Sequence, residues 1–179
     1  RRVLFRSVCI MRIIGIDPGY AIVGFGVLDY RGVEFTTLEY GAILTEAHTD
    51  FPQRLGNIYE DMCFILERFK PDALAIEQLF FYSNKTTGID VAQARGVILL
   101  AAVQHGVPIA EYTPSQVKQA VVGYGKAEKR QVMEMTRRIL HLEQIPKPDD
   151  AADALALAIC HGHCSRGARS LTQRTGKIG

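Results

Sequence analysis

The sequence predicts an α/β fold, a mixed five-stranded sheet with an antiparallel meander, later parallel strands, and flanking helices. Three observations carry this expectation. Residues 11–44 hold three β-like runs separated only by turn signals. Beyond them, strand-like runs alternate with segments of helical periodicity, and strands joined through helical crossovers lie parallel. The 179 residues, 47% hydrophobic and 22% charged, suit one globular domain and exclude wholesale disorder.

Residues 12–16, Arg-Ile-Ile-Gly-Ile, read as a short buried strand that stops at Asp17-Pro18-Gly19. Residues 21–30 and 33–44 alternate apolar with polar or small residues around the turn Tyr30-Arg31-Gly32. Pro52 suits a helix start. Leu55, Ile58, Tyr59, Met62, Ile65, Leu66 and Phe69 then recur at helical spacing until Lys70-Pro71-Asp72 ends the run. Ala73-Leu74-Ala75-Ile76 is a second buried strand, and it delivers Glu77. Residues 78–88 read as a loop.

A helix is expected from Ile89 to Gln104, stopped by Gly106, then a strand over 107–112 whose Pro108 suits a sheet edge. Thr113 or Ser115 caps a short helix to about Val121, and Gly123-Tyr124-Gly125 breaks the chain. Ala127–Leu140 is a charged helix. After Pro146-Lys147-Pro148, Asp149 or Asp150 caps a small-residue helix from Ala151 to about His161. From residue 165 the chain is polar without apolar periodicity, which predicts a disordered tail, so the domain is expected over residues 11–164.

Lysine and arginine number 21 against 19 acids, a net charge of +2. Residues 1–10 show no structural pattern, no signal-peptide core and no small-residue cleavage site, and read as a non-native leader. Without their three arginines the balance is −1, so net charge points neither toward nor away from nucleic acid. The longest apolar stretch, Gly96–Val103, falls far short of the ~20 residues of a membrane span, so no membrane is expected among the partners. Cys9, Cys63, Cys160 and Cys164, without an export signal, read as thiols of a reducing compartment, the cytoplasm. Cys160-His161-Gly162-His163-Cys164 lacks the spacing of a paired-ligand zinc site, and a helix would fan these side chains around its axis. It reads as a helix end with surface histidines.

Carboxylates carry the functional signal. Asp17 and Glu77 each end a buried strand, and Asp150 and Asp153, three apart, share one face of a helix start. Ala151, Ala152 and Ala154 let that face approach the sheet. Asp17 alone reads equally well as a turn acid, and Asp150 alone as a cap. An ionised Glu77 beside a buried strand is costly unless it is paired or bound to a cation. Four such acids without interleaved bases point to a divalent metal site, and all-oxygen ligation favours Mg²⁺ or Mn²⁺ over zinc. Phosphodiester hydrolysis by two metals needs this kind of site and a carboxylate that bridges them, a place for Asp17.

Lys118, Lys126, Lys129, Arg130, Arg137 and Arg138 cluster against only Glu128 and Glu134 between Gln116 and Arg138. Beside an acidic metal site, this cluster reads as phosphate-positioning. Phe80 and Phe81, adjacent in the loop after Glu77, are candidates for a wedge against unstacked bases.

Six motifs occur in order: Gly15-Ile16-Asp17-Pro18-Gly19, Ala75-Ile76-Glu77-Gln78, Gln93-Ala94-Arg95-Gly96, Gln116-Val117-Lys118-Gln119, Ala127-Glu128-Lys129, and the run from Asp150 to Ala156. Over residues 11–164 the chain resembles the RuvC family of Holliday junction resolvases. The resemblance implies a ribonuclease H-like fold, a homodimer, and Mg²⁺-dependent paired nicking of a four-way DNA junction in recombination and repair. It implies that Asp17, Glu77, Asp150 and Asp153 bind two metals, that Lys118 and Lys129 serve the phosphate or transition state, and that Phe80 contacts or opens the junction. Phe81 is placed equally well for the wedge, and Asp149 for the third ligand, although the spacing of three to Asp153 favours Asp150. Partners implied are a junction-binding protein and a ring ATPase that migrates the branch, and products are ligatable nicks with 5′-phosphate and 3′-hydroxyl. Two symmetric cuts require two sites, which a two-fold dimer supplies. The helix near 89–104, with Val91, Ala94, Val97, Ile98 and Ala101 on its apolar side, is a candidate interface, and that side serves equally well as the chain's own core.

Three rival readings remain at this level. An actin-like ATPase or sugar kinase also carries Asp-x-Gly on a strand meander, but needs two lobes that 179 residues do not hold. A non-catalytic junction-binding module conflicts with the intact acid quartet. A nuclease of the same fold acting on RNA or RNA–DNA hybrids differs only in substrate.

Overall fold

A computed structural model describes residues 9–79 and 85–175. Strands β1 (Met11–Asp17), β2 (Ile22–Tyr30) and β3 (Phe35–Leu44) form the expected antiparallel meander. Helix α1 (Phe51–Phe69) starts with a proline in its first turn, where the missing N–H is harmless, and ends at Lys70 in the left-handed conformation. It returns the chain to β4 (Ala73–Glu77), which lies parallel to β1. Helix α2 (Lys85–Gln104) crosses back to β5 (Ile109–Tyr112), parallel to β4. Sheet order is therefore β3-β2-β1-β4-β5. Pro108 precedes an edge strand, as expected.

Helices α3 (Pro114–Val122), α4 (Lys129–Ile139) and α5 (Asp149–Thr175) follow the sheet. Strand parity sorts the core. Ile14, Ile16, Leu74 and Ile76 pack with Ile58, Met62 and Ile98 of α1 and α2 on one face. Ile13, Leu28 and Ala75 pack with Val117, Val132 and Leu155 of α3, α4 and α5 on the other. Residues 13, 15 and 17 of β1 and 73, 75 and 77 of β4 thus belong to the α5 face.

Several boundaries differ from the sequence reading for local reasons. Lys85–Gly88 belong to α2 rather than to the loop. Residues 107 and 108 precede β5, because the Val107 N–H closes α2 on the Ala102 carbonyl. Thr113, not Ser115, caps α3: its hydroxyl accepts from the Gln116 N–H, and the Gln116 side chain accepts from the Thr113 N–H at 2.8 Å. α4 starts at Lys129 because Glu128 is its cap, with the Gln131 side chain accepting the Glu128 N–H at 2.8 Å. α5 starts at Asp149 itself, so neither Asp149 nor Asp150 is its cap. It also runs on to Thr175, past the point at 165 where an irregular tail was expected.

The Cys-His run is not an idle surface either. Cys160 is buried, the His161 Nδ1 lies 2.8 Å from the Tyr112 hydroxyl, and the His163 Nδ1 lies 3.0 Å from the Ala120 carbonyl. These contacts tie α5 to β5 and α3.

Candidate active site

Three glycines bring the acids together. Gly15 pairs with Gly26 across β1 and β2, and Asp17 pairs with Gly24. A Cβ on Gly15 would stand 1.9 Å from the Ala154 carbonyl oxygen, one on Gly24 2.1 Å from that of Asp150, and one on Gly26 2.6 Å from a Leu155 methyl. The glycines open a trough, and α5 lies in it on its alanine face. The first turns of α5 are thereby pressed against the sheet edge where β1 and β4 end. Asp150 and Asp153 meet Asp17 and Glu77 there, at the carboxyl ends of neighbouring parallel strands.

The electrostatics match that arrangement. Asp17 is pushed up to about 7, first by burial, then by the charges of Asp153, Glu77 and Asp150. Glu77 is also raised, by burial and by Asp153, while Lys118 and Lys129 pull it back. Lys129 reaches into the cluster with its ammonium 2.8 Å from a carboxylate oxygen of Asp153. The acids are therefore not wholly without a base, contrary to the sequence reading. Asp149 stands apart from them: Lys147 holds its carboxylate at 2.7 Å and below the usual carboxylate range, so Asp150 is the acid turned toward Asp17.

An all-oxygen, multiply acidic, partly buried donor set fits a hard divalent cation. Among the described residues no three His, Cys, Asp or Glu groups are gathered closely enough to form a ligand set. In front of them a cleft of about 670 Å³ is lined by Asp17, Pro18, Glu77, Gln78, Leu79, Thr113, Pro114 and Ser115. The last three were not expected at the site. The carboxyl end of a strand parallel to β4 was the signal that marked them.

Lys118 and Lys129 both act electrostatically on Glu77, and Lys129 also pairs with Asp153, so the structure brings them near the acids. Lys126 and Arg130 are exposed and flank Lys129. Arg137 and Arg138 are instead tied to Glu134, at 2.8 Å and 2.9 Å, and hold its carboxyl down to about 2. They leave the group of free cations. Phe80 and Phe81 lie outside the described residues.

The family model described as Crossover junction endodeoxyribonuclease RuvC matches residues 13–161. The chain belongs to the RuvC family. A relative of that description from Brevibacillus brevis is 58% identical over 151 residues, 84% of this chain and 91% of the relative. A Thermus thermophilus RuvC structure superposes with a TM-score of 0.83 at 38% identity, covering 88% of this chain and 97% of that one. The T. thermophilus RuvC in complex with Holliday junction substrate gives 0.81 at 36% identity, covering 88% and 96%. The fold is accordingly ribonuclease H-like, as RuvC folds are.

Proposed function

We propose that this chain is a Holliday junction resolvase: a homodimeric, Mg²⁺-dependent endonuclease that nicks four-way DNA junctions symmetrically. The observation that carries the reading is Asp17, half-buried at the end of β1 within the fields of Glu77, Asp150 and Asp153. In RuvC family membership this quartet has a ready role. Asp17, Glu77, Asp150 and Asp153 are the residues that would hold the cations, Mg²⁺ or in its place Mn²⁺. When bound, such cations activate a water for in-line attack on phosphorus and stabilise the leaving oxygen.

The chain's own residues do the rest. Lys118 and Lys129 steady the phosphate beside the acids, and exposed Lys126 and Arg130 hold the flanking backbone. Phe80 or Phe81 supplies the wedge at the branch point. The nicks leave 5′-phosphate and 3′-hydroxyl ends, as recombination and DNA repair require.

The dimer is supported by α2. Ala94, Ile98 and Ala101 face the core, yet Ile89, Leu100 and Val103 form a second apolar stripe exposed on the other side. The chain would work in the cytoplasm with a junction-binding protein and a ring ATPase. No helix among the described residues is long and apolar enough to cross a membrane.

The test is cleavage of a labelled, immobile four-way junction in Mg²⁺, with linear duplex and RNA–DNA hybrid as controls and Asp150→Asn alongside. Paired ligatable nicks on the junction alone, lost in the variant, are expected. Junction binding without nicking would make the chain a non-catalytic module. Preferred cutting of the hybrid would reassign the substrate.

A further inference from the structure

Arg95 belongs to the one sequence motif that the proposed chemistry leaves unused. Its side chain rises from α2 and is only 12% exposed, a costly place for a guanidinium without a purpose. The Nε–H donates to the main-chain carbonyl of Glu77 at 3.3 Å. Nη2 lies 2.7 Å from a carboxylate oxygen of Glu111. That nitrogen is buried and makes no aligned hydrogen bond, so its attachment to Glu111 is ionic.

The register explains the geometry. Glu111 is the partner of Ile76 on the neighbouring strand, one residue before the Glu77–Tyr112 pair that closes the β4–β5 ladder. Ile76 packs with α1 and α2, whereas Glu77 belongs to the opposite, α5 face. Arg95 therefore approaches Glu77 from behind and touches its backbone, leaving the carboxylate free. On the other flank, the β1–β4 ladder ends at Ile16–Ile76, and β1 runs into Asp17-Pro18, where proline offers no N–H. The carbonyl at the end of β4 is served by a side chain.

We propose that Arg95 is a positioning residue: anchored on Glu111, it pins the last carbonyl of β4 and so fixes where the Glu77 carboxylate stands. The proposal rests on the reading of the four acids as a cation-binding centre. Charge alone does not suffice for this task, because the planar fork must reach a carbonyl and a carboxylate at once.

The experiment compares Arg95→Met, Arg95→Lys and Glu111→Gln with the wild type. Mn²⁺ binding to the DNA-free protein is read by calorimetry, and single-turnover nicking of a four-way junction is read at saturating protein. Junction affinity in Ca²⁺ and the thermal midpoint serve as checks on folding. Removing a supporting partner of a ligand commonly costs about 10–100-fold in metal affinity or activity. Arg95→Met is expected to lose that much in both Mn²⁺ affinity and nicking rate at unchanged junction affinity. Arg95→Lys recovers part of it, and Glu111→Gln falls between Arg95→Met and wild type. Variants that bind Mn²⁺ and nick as the wild type does would overturn the role of Arg95 alone. So would loss of junction affinity and thermal midpoint in step with nicking in Arg95→Lys and Glu111→Gln, which marks a merely structural bridge. A wild-type chain that binds no Mn²⁺ overturns the acid-site reading itself.

Discussion

The ammonium of Lys129 lies 2.8 Å from Asp153, inside a field to which Asp149, Asp17 and Glu77 contribute. Lysine here is the internal counter-charge of an acid cluster, and the cluster in turn raises the lysine further from neutrality. It therefore competes electrostatically with any cation the acids bind, yet sits where a phosphate would need a donor. Lys129→Met should tighten Mg²⁺ binding by roughly 3–10-fold, since a like charge leaves the site. Nicking should slow by about 100-fold, the usual loss when one charge-stabilising donor is removed. Calorimetry and single-turnover nicking check the two opposed signs.

Asp17 sets a pH dependence in the cation-free protein. Its folded value of about 7 lies above the ordinary aspartate value of 3.8, so the folded state holds a proton that the unfolded chain releases. Stability falls as pH rises between those values, and the full penalty is present above about 7. Asp17→Asn removes it. The variant should be more stable than wild type at pH 8, by up to about 4 kcal/mol, and match it near pH 4. Denaturant titrations in chelator at both pH values test this. Added Mg²⁺ should then stabilise wild type more than the variant, by mass action.

Most of the fold was legible because β periodicity, turn residues and buried apolar runs are local signals. The meander, the β4 run ending at Glu77 and the edge strand after Pro108 follow from them. The acids were legible as strand ends and as a helix spacing of three. What joins them was not: the clash distances at Gly15, Gly24 and Gly26 are properties of a helix 130 residues away lying on a sheet. The pairing of Lys129 with Asp153 was hidden for the same reason, and Arg137 and Arg138 read as free cations although Glu134 at helical spacing could have claimed them. Arg95 stands in a sequence motif, but its contact with the end of β4 exists only once α2 is laid against the sheet.

The glycine trough makes its own prediction. A methyl at Gly24 would meet the Asp150 backbone at 2.1 Å, and one at Gly15 the Ala154 backbone at 1.9 Å. Both contacts are with main chain, which cannot swing away as a side chain does. Gly24→Ala and Gly15→Ala should each destabilise by about 1–3 kcal/mol or more, the range for overpacked cores. Gly24→Ala should in addition lose nicking at temperatures where it remains folded, because the strain falls on the residue that carries the carboxylate. Equal nicking per folded molecule in both variants would detach the trough from the site.

Exposed Lys126 and Arg130 should behave as backbone contacts. Each released phosphate contact lowers the dependence of log K on log salt by about 0.9 on duplex arms. Lys126→Ala and Arg130→Ala should therefore each flatten the salt slope of junction binding by about one. The nicking rate at saturation should stay near wild type, since neither touches the acids. Arg138→Ala, whose charge is already spent on Glu134, should leave the slope as it is.

The exposed side of α2 decides the assembly. Ile89, Leu100 and Val103 are 56%, 51% and 64% exposed, although the same helix buries Ala94, Ile98 and Ala101 completely. A helix apolar on both sides needs two partners, and the sheet supplies only one. If a second copy supplies the other, Leu100→Glu combined with Val103→Lys should shift sedimentation from dimer to monomer at micromolar protein with no change in far-ultraviolet helicity. The acids, on the opposite face of the sheet, are untouched by these changes. Nicking should then persist at a reduced rate but lose its pairing, giving junctions cut on one strand only. A variant that remains dimeric places the two-fold axis elsewhere, and a monomer that still delivers paired nicks removes the dimer from the mechanism.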